Sequence, residues 1–185
     1  MSINIQPPLP LEIEVSLFGP GTGECIVLHL GNDDWMVIDS CLDSDRRPVA
    51  LSYLDAIGVS YERVKIVLIS HFHDDHIKGI NEVVRSCVSA RVCISNALTA
   101  AESLAFLSAY AQTDMPADAG KSSTHELHRL ISVLDASSRQ IEWVGENYVL
   151  FRQHGVTVSA LSPSNSAVSQ SKLDFAREFE AAGRE

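Results

Sequence analysis

The sequence predicts a layered α/β fold with a mixed sheet, and three observations support this prediction. The chain opens with short segments of alternating polarity, typical of antiparallel strands. Beyond about residue 60, apolar strand-like runs alternate with segments of helical periodicity, as in sheets whose parallel strands are joined by helices. The length of 185 residues, with 45% hydrophobic and 21% charged residues, fits one globular domain. We assign residues 1–10 to an N-terminal tail and 11–185 to this domain.

An antiparallel meander is predicted at the start of the domain. The stretch "LEIEVSLF" (11–18) alternates apolar and polar residues, which is the pattern of a half-buried strand. After a glycine-rich break, "CIVLHL" (25–30) and "WMVID" (35–39) indicate two strands joined by the turn "GNDD". A helix is then expected from Pro48, which suits a first helical turn, to Gly58, which suits a helix end.

The rest of the chain alternates between predicted strands and helices. The expected elements are strand 64–70, helix 77–88, strand 90–95, strands at 139–146, 147–153 and 156–163, and helix 167–182. The run 64–70 is nearly all apolar, as in a strand covered on both faces. Residues 97–136 are expected to form a helical insertion, with one helix to about residue 112 and a second that Ser123 or Thr124 can cap.

A cluster of histidines and aspartates, "HFHDDH" (71–76), directly follows the predicted strand 64–70. Open α/β sheets bind their ligands at this end of a central strand. Imidazole nitrogen and carboxylate oxygen suit zinc. In an extended segment His71 and His73 point the same way, while Asp75 and His76 turn into a helix start and face a second point. The spacing therefore favours two neighbouring metal ions over one.

The cluster at 71–76 resembles the H-x-H-x-D-H signature of the metallo-β-lactamase fold superfamily. Three further segments resemble the ComEC-like branch, which is related to the hydrolase domain of the DNA-uptake competence protein. They are "GTGECIVLHL" (21–30), "DHIKGI" (75–80) and "VTVSALSPS" (156–164). Asp39 resembles the superfamily's early aspartate, which closes a strand beside the metals and supports their ligands.

The resemblance implies an αβ/βα sandwich of two similar halves and a hydrolase with two zinc ions, or with iron or manganese. His71 and His73 would bind the first ion, and Asp75 and His76 the second. A metal-bound hydroxide, oriented by Asp75, would attack phosphorus or a carbonyl carbon. The competence-like branch further implies a phosphodiester or nucleic-acid substrate.

The sequence lacks the segments in which the superfamily carries a third histidine, a bridging aspartate and a last histidine. We therefore expect the first half of the sandwich and part of the second, in a domain truncated at its C-terminus. A partner chain or a second copy would complete such a fold. An alternative function follows, in which the chain is a non-catalytic or partner-dependent subunit with an interaction or regulatory role. The remaining histidines are expected to be structural or solvent-exposed: His29, His125, His128 and His154.

Net charge and cysteine content limit which partners and which cellular compartment are expected. The net charge of −10 and pI of about 5.1 give no electrostatic footprint for nucleic acid or an anionic membrane, although a metal can supply local positive charge. The N-terminus has no signal-peptide pattern, and no apolar run approaches the length of a membrane span. The four cysteines form no C-x-x-C pair, which favours a reducing cytoplasmic compartment.

Overall fold

A computed structural model describes residues 6–19, 24–96 and 123–182. The strands are β1 Glu14–Phe18, β2 Cys25–His29, β3 Trp35–Ile38, β4 Val64–Ile69, β5 Arg91–Ser95, β6 Ile141–Val144, β7 Val149–Gln153 and β8 Val156–Ser159. The helices are α1 Val49–Ala56, α2 Asp74–Ile77, α3 Ile80–Ser86, α4 Ser123–Ala136 and α5 Asn165–Ala182, with a 3-10 turn at Tyr61–Arg63.

The described residues form a six-stranded mixed sheet and a separate two-stranded hairpin. The sheet order is β1-β2-β3-β4-β5-β6, with antiparallel pairing from β1 to β3 and parallel pairing from β3 to β6. Short turns allow the antiparallel part, whereas each parallel pair needs a crossover. The crossovers contain α1, then α2 and α3, then α4. The predicted α/β class with a mixed sheet is confirmed.

Two hydrophobic cores lie on opposite faces of this sheet. On one face, Val37 and Val67 pack with apolar side chains of α1, α3 and α4. On the other face, Met36 and Ile66 pack with the β7–β8 hairpin through buried Phe151 and its neighbours. Successive residues of a strand point to opposite faces, so the nearly all-apolar β3 and β4 serve both cores. Burying each such side chain contributes about 1.5–3 kcal/mol, and the two central strands are thereby fixed in place.

One predicted helix is corrected by the structure. Instead of one helix over 77–88, the chain forms α2 and α3 with a break between them. Gly79, at the break, has φ +79°, a left-handed conformation that glycine adopts without steric cost. The helix expected to end near residue 112 lies outside the described residues, whereas the helix expected from Ser123 is α4. None of the described helices combines the length and apolar character that crossing a membrane requires.

An apolar stripe is exposed beside the β1 edge of the large sheet. It consists of Leu9, Leu11, Ile13, Val15 and Leu17, each of them more than half exposed. The intervening residues of β1 face the opposite way, where Phe18 stacks on Tyr53 of α1. Among the described residues, the hairpin core includes no member of this stripe. The sheet face is thus covered by the hairpin near its centre and open at β1.

Candidate metal centre

The candidate site lies where β3 and β4 end, because the carboxyl ends of parallel neighbouring strands meet at one edge of a sheet. Asp39 follows β3 directly, and the 71–76 cluster follows β4 after Ser70. The Asp39 amide donates to the carbonyl oxygen of Leu68 at 2.8 Å, which adds one hydrogen bond beyond the end of the β3–β4 pairing. The pairing of β3 with β4 therefore delivers the aspartate to the histidine cluster.

Asp39 is buried and accepts three hydrogen bonds at its carboxylate. The Ser70 amide donates to Oδ1 at 2.7 Å, and the Ser70 hydroxyl donates to Oδ2 at 2.6 Å. His76 Nδ1 lies 2.9 Å from the same Oδ2. A buried carboxylate is tolerated when hydrogen bonds replace its lost hydration, and three donors meet that need here.

Three imidazole rings lie against one another above this carboxylate. The ring centroid of His71 is 4.0 Å from that of His76 and 4.7 Å from that of His73. Ligand atoms of Asp39, His71 and His76 all lie within 4.8 Å of one another, which makes this group a candidate metal-binding triad. The donor set of imidazoles and carboxylates suits a divalent cation such as zinc.

The remaining two predicted ligands lie on the solvent side of the triad. His73 is exposed and contacts His71 through its ring. Asp75 is also exposed, and its Oδ2 lies 3.7 Å from His76 Nε2. Its carbonyl oxygen accepts a 2.9 Å hydrogen bond from the Glu24 amide, which ties the cluster to the segment before β2. Among the described residues the structure thus brings the ligand atoms of His71 and His76 together with Asp39, whereas His73 and Asp75 contact these histidines but lie outside that group.

The contact between Asp39 and His76 has the geometry of a hydrogen bond. Two donors on one tetrahedral zinc, each about 2.0–2.1 Å from the ion, lie about 3.3 Å apart. The observed 2.9 Å between Asp39 Oδ2 and His76 Nδ1 is shorter than that. Asp39 therefore acts on His76 as a hydrogen-bond acceptor, which is the kind of contact that orients imidazoles in metal centres.

Two thiols lie beside the carboxylate, and one of them, Cys25, is a poor candidate for a ligand. Cys25 and Cys41 are both buried and hydrogen-bonded to each other. This contact, followed by burial and by the charges of Cys41 and Asp39, raises the pKa of Cys25 far above its ordinary value, whereas the same contact lowers that of Cys41. Metals bind the thiolate, and a raised pKa disfavours that form at Cys25.

The sequence interpretation overlooked Ser70. Its hydroxyl lies 2.9 Å from His71 Nδ1 as well as contacting Asp39. A signal was present, since Ser70 is a polar residue that ends an apolar run immediately before the histidines. Of the other histidines, His29 is buried against Trp35, with ring centroids 4.7 Å apart. His154 is partly exposed and lies 3.7 Å from a carboxylate oxygen of Asp34.

Several solved structures of similar proteins align with parts of the chain. They include the Rm3 metallo-beta-lactamase (24% identity, TM-score 0.38, 48% of this chain and 32% of that one). The hydrolase AbOPH of the beta lactamase superfamily aligns at 21% identity and TM-score 0.43, over 68% of this chain and 44% of that one. The metallo-beta-lactamase SMB-1 aligns at 15% identity and TM-score 0.45, over 94% and 74%. The chain thus spans less than half the length of the first two.

The comparison of sequences is more decisive than these partial structural alignments. No curated protein matches the chain. The sequence model of the metallo-beta-lactamase superfamily, by contrast, matches residues 18–153, which is well over half of the chain. That range contains both strands of the candidate centre and the whole histidine cluster. The chain therefore belongs to the metallo-beta-lactamase superfamily, whose members are commonly metal-dependent hydrolases.

Proposed function

We propose that this chain is a metal-dependent hydrolase whose metal is held by His71, His73, Asp75 and His76. The observation that carries the proposal is the packing of three imidazoles above the buried Asp39, with the ring centroid of His71 4.0 Å from that of His76 and 4.7 Å from that of His73. It lies at the sheet edge where α/β proteins bind ligands, in a superfamily of metal-dependent hydrolases. Three imidazoles packed together at a sheet edge have no evident structural purpose without a cation.

The proposed centre contains two zinc ions, with iron or manganese as the alternative metals. His71 and His73 contact each other through their rings and would share the first ion. Asp75 Oδ2 lies 3.7 Å from His76 Nε2, and this pair would share the second. A bound divalent cation supplies Lewis-acid chemistry that makes water nucleophilic near neutral pH. Asp39 holds His76 from beneath through its hydrogen bond to Nδ1.

The exposed carboxylate of Asp75 is the proposed proton acceptor. It lies on the solvent side of the cluster, beside His76, where an attacking water would approach. With one carboxylate oxygen on the second ion, its other oxygen would orient that water and take its proton as the new bond forms. The substrate is proposed to be a phosphodiester, following the resemblance to the competence-like branch. The net charge of −10 offers no general attraction for such an anion, so the positive charge would come from the centre itself.

Metal content per chain, measured by elemental mass spectrometry on the purified protein, tests the proposal. We expect about two equivalents of zinc, iron or manganese in the wild type. The variant His73→Ala should lose metal, whereas His154→Ala, which removes a partly exposed histidine paired with Asp34, should not. Hydrolysis of a chromogenic phosphodiester should follow the metal content. Less than about half an equivalent of metal, unchanged in His73→Ala, would contradict the proposal.

The second candidate is a partner-dependent subunit, and the exposed apolar stripe at β1 favours it. Leu11 is 88% exposed and Leu17 is 74% exposed. An apolar patch of this kind beside an edge strand promotes association. We propose that a second copy of the chain covers it, so light scattering should give a dimer and Leu17→Lys a monomer. A wild-type monomer with full activity would exclude this candidate, and a monomer without activity would point to a different partner chain.

The proposed location is the cytoplasm. All four cysteines are free thiols in the structure, and all four are buried. Thiols persist in a reducing compartment, which is the basis of this assignment. Fractionation of cells that express a tagged chain would test it, and recovery of the protein outside the cytoplasm would contradict it.

A further inference from the structure

We infer that Ser70 is a positioning residue that connects His71 to Asp39 and so fixes which nitrogen of His71 faces the metal. Three contacts carry the inference. The Ser70 amide donates to Asp39 Oδ1 at 2.7 Å, and its hydroxyl donates to Asp39 Oδ2 at 2.6 Å. The same hydroxyl oxygen lies 2.9 Å from His71 Nδ1. The inference rests on the proposed function, because a bound metal is what the orientation serves.

Counting protons determines the direction of the last contact. A serine hydroxyl has one proton to donate and two lone pairs that accept. An ionised carboxylate only accepts, so the proton of the Ser70 hydroxyl is committed to Asp39. The contact with His71 is then made by a lone pair of the serine oxygen, and His71 must donate through Nδ1–H. The neutral ring of His71 accordingly carries its lone pair on Nε2.

The same carboxylate fixes the second imidazole without an intermediary. His76 Nδ1 lies 2.9 Å from Asp39 Oδ2 and donates to it, which places the His76 lone pair on Nε2 as well. One buried aspartate therefore sets the tautomers of two histidines, His76 directly and His71 through the Ser70 hydroxyl. Both Nε2 atoms become the ligand atoms.

The two hydrogen bonds from Ser70 to Asp39 explain why a serine suits this position. Its amide and hydroxyl each take one carboxylate oxygen, which fixes the plane of the carboxylate as well as its location. An alanine at this position keeps the amide bond but releases Oδ2 and leaves His71 Nδ1–H without this acceptor. A threonine keeps both bonds. Groups that orient metal-binding histidines in this way typically change metal affinity about 10–100-fold when they are removed.

The first test uses the metal-free protein and needs no activity. Long-range ¹H–¹⁵N spectra of the histidine rings at about pH 8, where ordinary imidazoles are neutral, distinguish the protonated nitrogen from the one with the lone pair. We expect Nδ1–H rings for His71 and His76 in the wild type. In Ser70→Ala, His71 should shift toward a mixture of tautomers while His76 stays unchanged. A wild-type His71 that is protonated at Nε2 would overturn the inference before any variant is made.

The second test measures Co²⁺ affinity from the visible absorption of the bound ion. Ser70→Ala should bind about 10–100-fold more weakly than the wild type, and Ser70→Thr should stay within about threefold. The control is Ser169→Ala, an exposed serine of α5 whose hydroxyl donates to the Asn165 carbonyl oxygen of its own helix. An unchanged affinity in Ser70→Ala, or equal losses in Ser70→Ala and Ser70→Thr, would overturn the positioning role. A wild type that binds no Co²⁺ would refute the proposed function, and the metal-free spectra would then decide the inference alone.

Discussion

Replacing Gly79 by alanine should destabilise the fold at the hinge between α2 and α3. Gly79 has φ +79°, and a Cβ atom there would lie 2.7 Å from Leu42 Cδ2 and 3.0 Å from Pro48 Cγ. Leu42 can rotate away, because the nearest atom is the end of a flexible side chain. The ring of Pro48 is buried and rigid, so that contact requires the backbone to move. The structure also supplies a matched control in Gly58, which has φ +72° and nothing within 4 Å of an added Cβ.

The two substitutions differ only in the steric clash, which allows its cost to be isolated. A left-handed alanine costs about 1–2 kcal/mol, offset by about 0.4–1 kcal/mol of lost freedom in the unfolded chain. Gly58→Ala should therefore cost about 1 kcal/mol. Gly79→Ala adds an overpacking cost of about 1–3 kcal/mol, for a total of about 2–4 kcal/mol. For a chain of this size the difference of about 1–3 kcal/mol corresponds to a gap in Tm of about 2–12 °C.

Thermal unfolding followed by circular dichroism measures both variants beside the wild type. Urea titration gives the free energies of unfolding and checks that the slope is unchanged. Because the Ser40 hydroxyl donates to the carbonyl of Lys78, next to Gly79, the clash should also disturb the metal centre and lower Co²⁺ affinity. Equal losses of stability in Gly79→Ala and Gly58→Ala would refute the reasoning, since no clash would then be felt at the hinge.

Three further predictions concern the carboxylates and thiols. Asp39→Asn should lower metal affinity about 10–100-fold in a Co²⁺ titration while the secondary structure persists, because it weakens the acceptor of His76; unchanged affinity would contradict this. Backbone and hydroxyl donors lower the pKa of Asp43, so its contribution to stability is present above the ordinary aspartate pKa of about 4 and is lost as pH falls through the lower folded value. Asp43→Asn should reduce the loss in free energy of unfolding as the pH falls below about 4. An unchanged pH dependence in this variant would contradict the assignment to Asp43. A thiol reagent should react slowly with Cys87 and Cys93 in the native chain and rapidly with all four cysteines in urea, since burial raises the pKa of Cys87 to about 12 and that of Cys93 to about 11. Rapid labelling of Cys87 or Cys93 in the native chain would contradict this.

Local patterns in the sequence were sufficient to predict most of the elements. Alternation in the first strands, largely apolar runs in β4 and β5, and turn residues between them are short-range signals that do not depend on the tertiary fold. The predicted strand 11–18 begins only at Glu14, because pairing with β2 starts there. The single helix over 77–88 was wrong, since the left-handed Gly79 is packed against Leu42 and Pro48, which are remote in sequence.

The ligand types of the candidate centre were also readable from the sequence, whereas its supporting contacts were not. The histidine cluster is contiguous, so residues 71–76 alone predict metal-binding chemistry. Asp39 and Ser70 are 31 residues apart, and no local sequence pattern predicts that they are in contact. The parallel register that sets Ile38 beside Leu68 brings them together, and it is maintained by the two cores that β3 and β4 serve. The sequence thus determined which groups can bind a metal, and strand pairing decided which carboxylate and hydroxyl orient them.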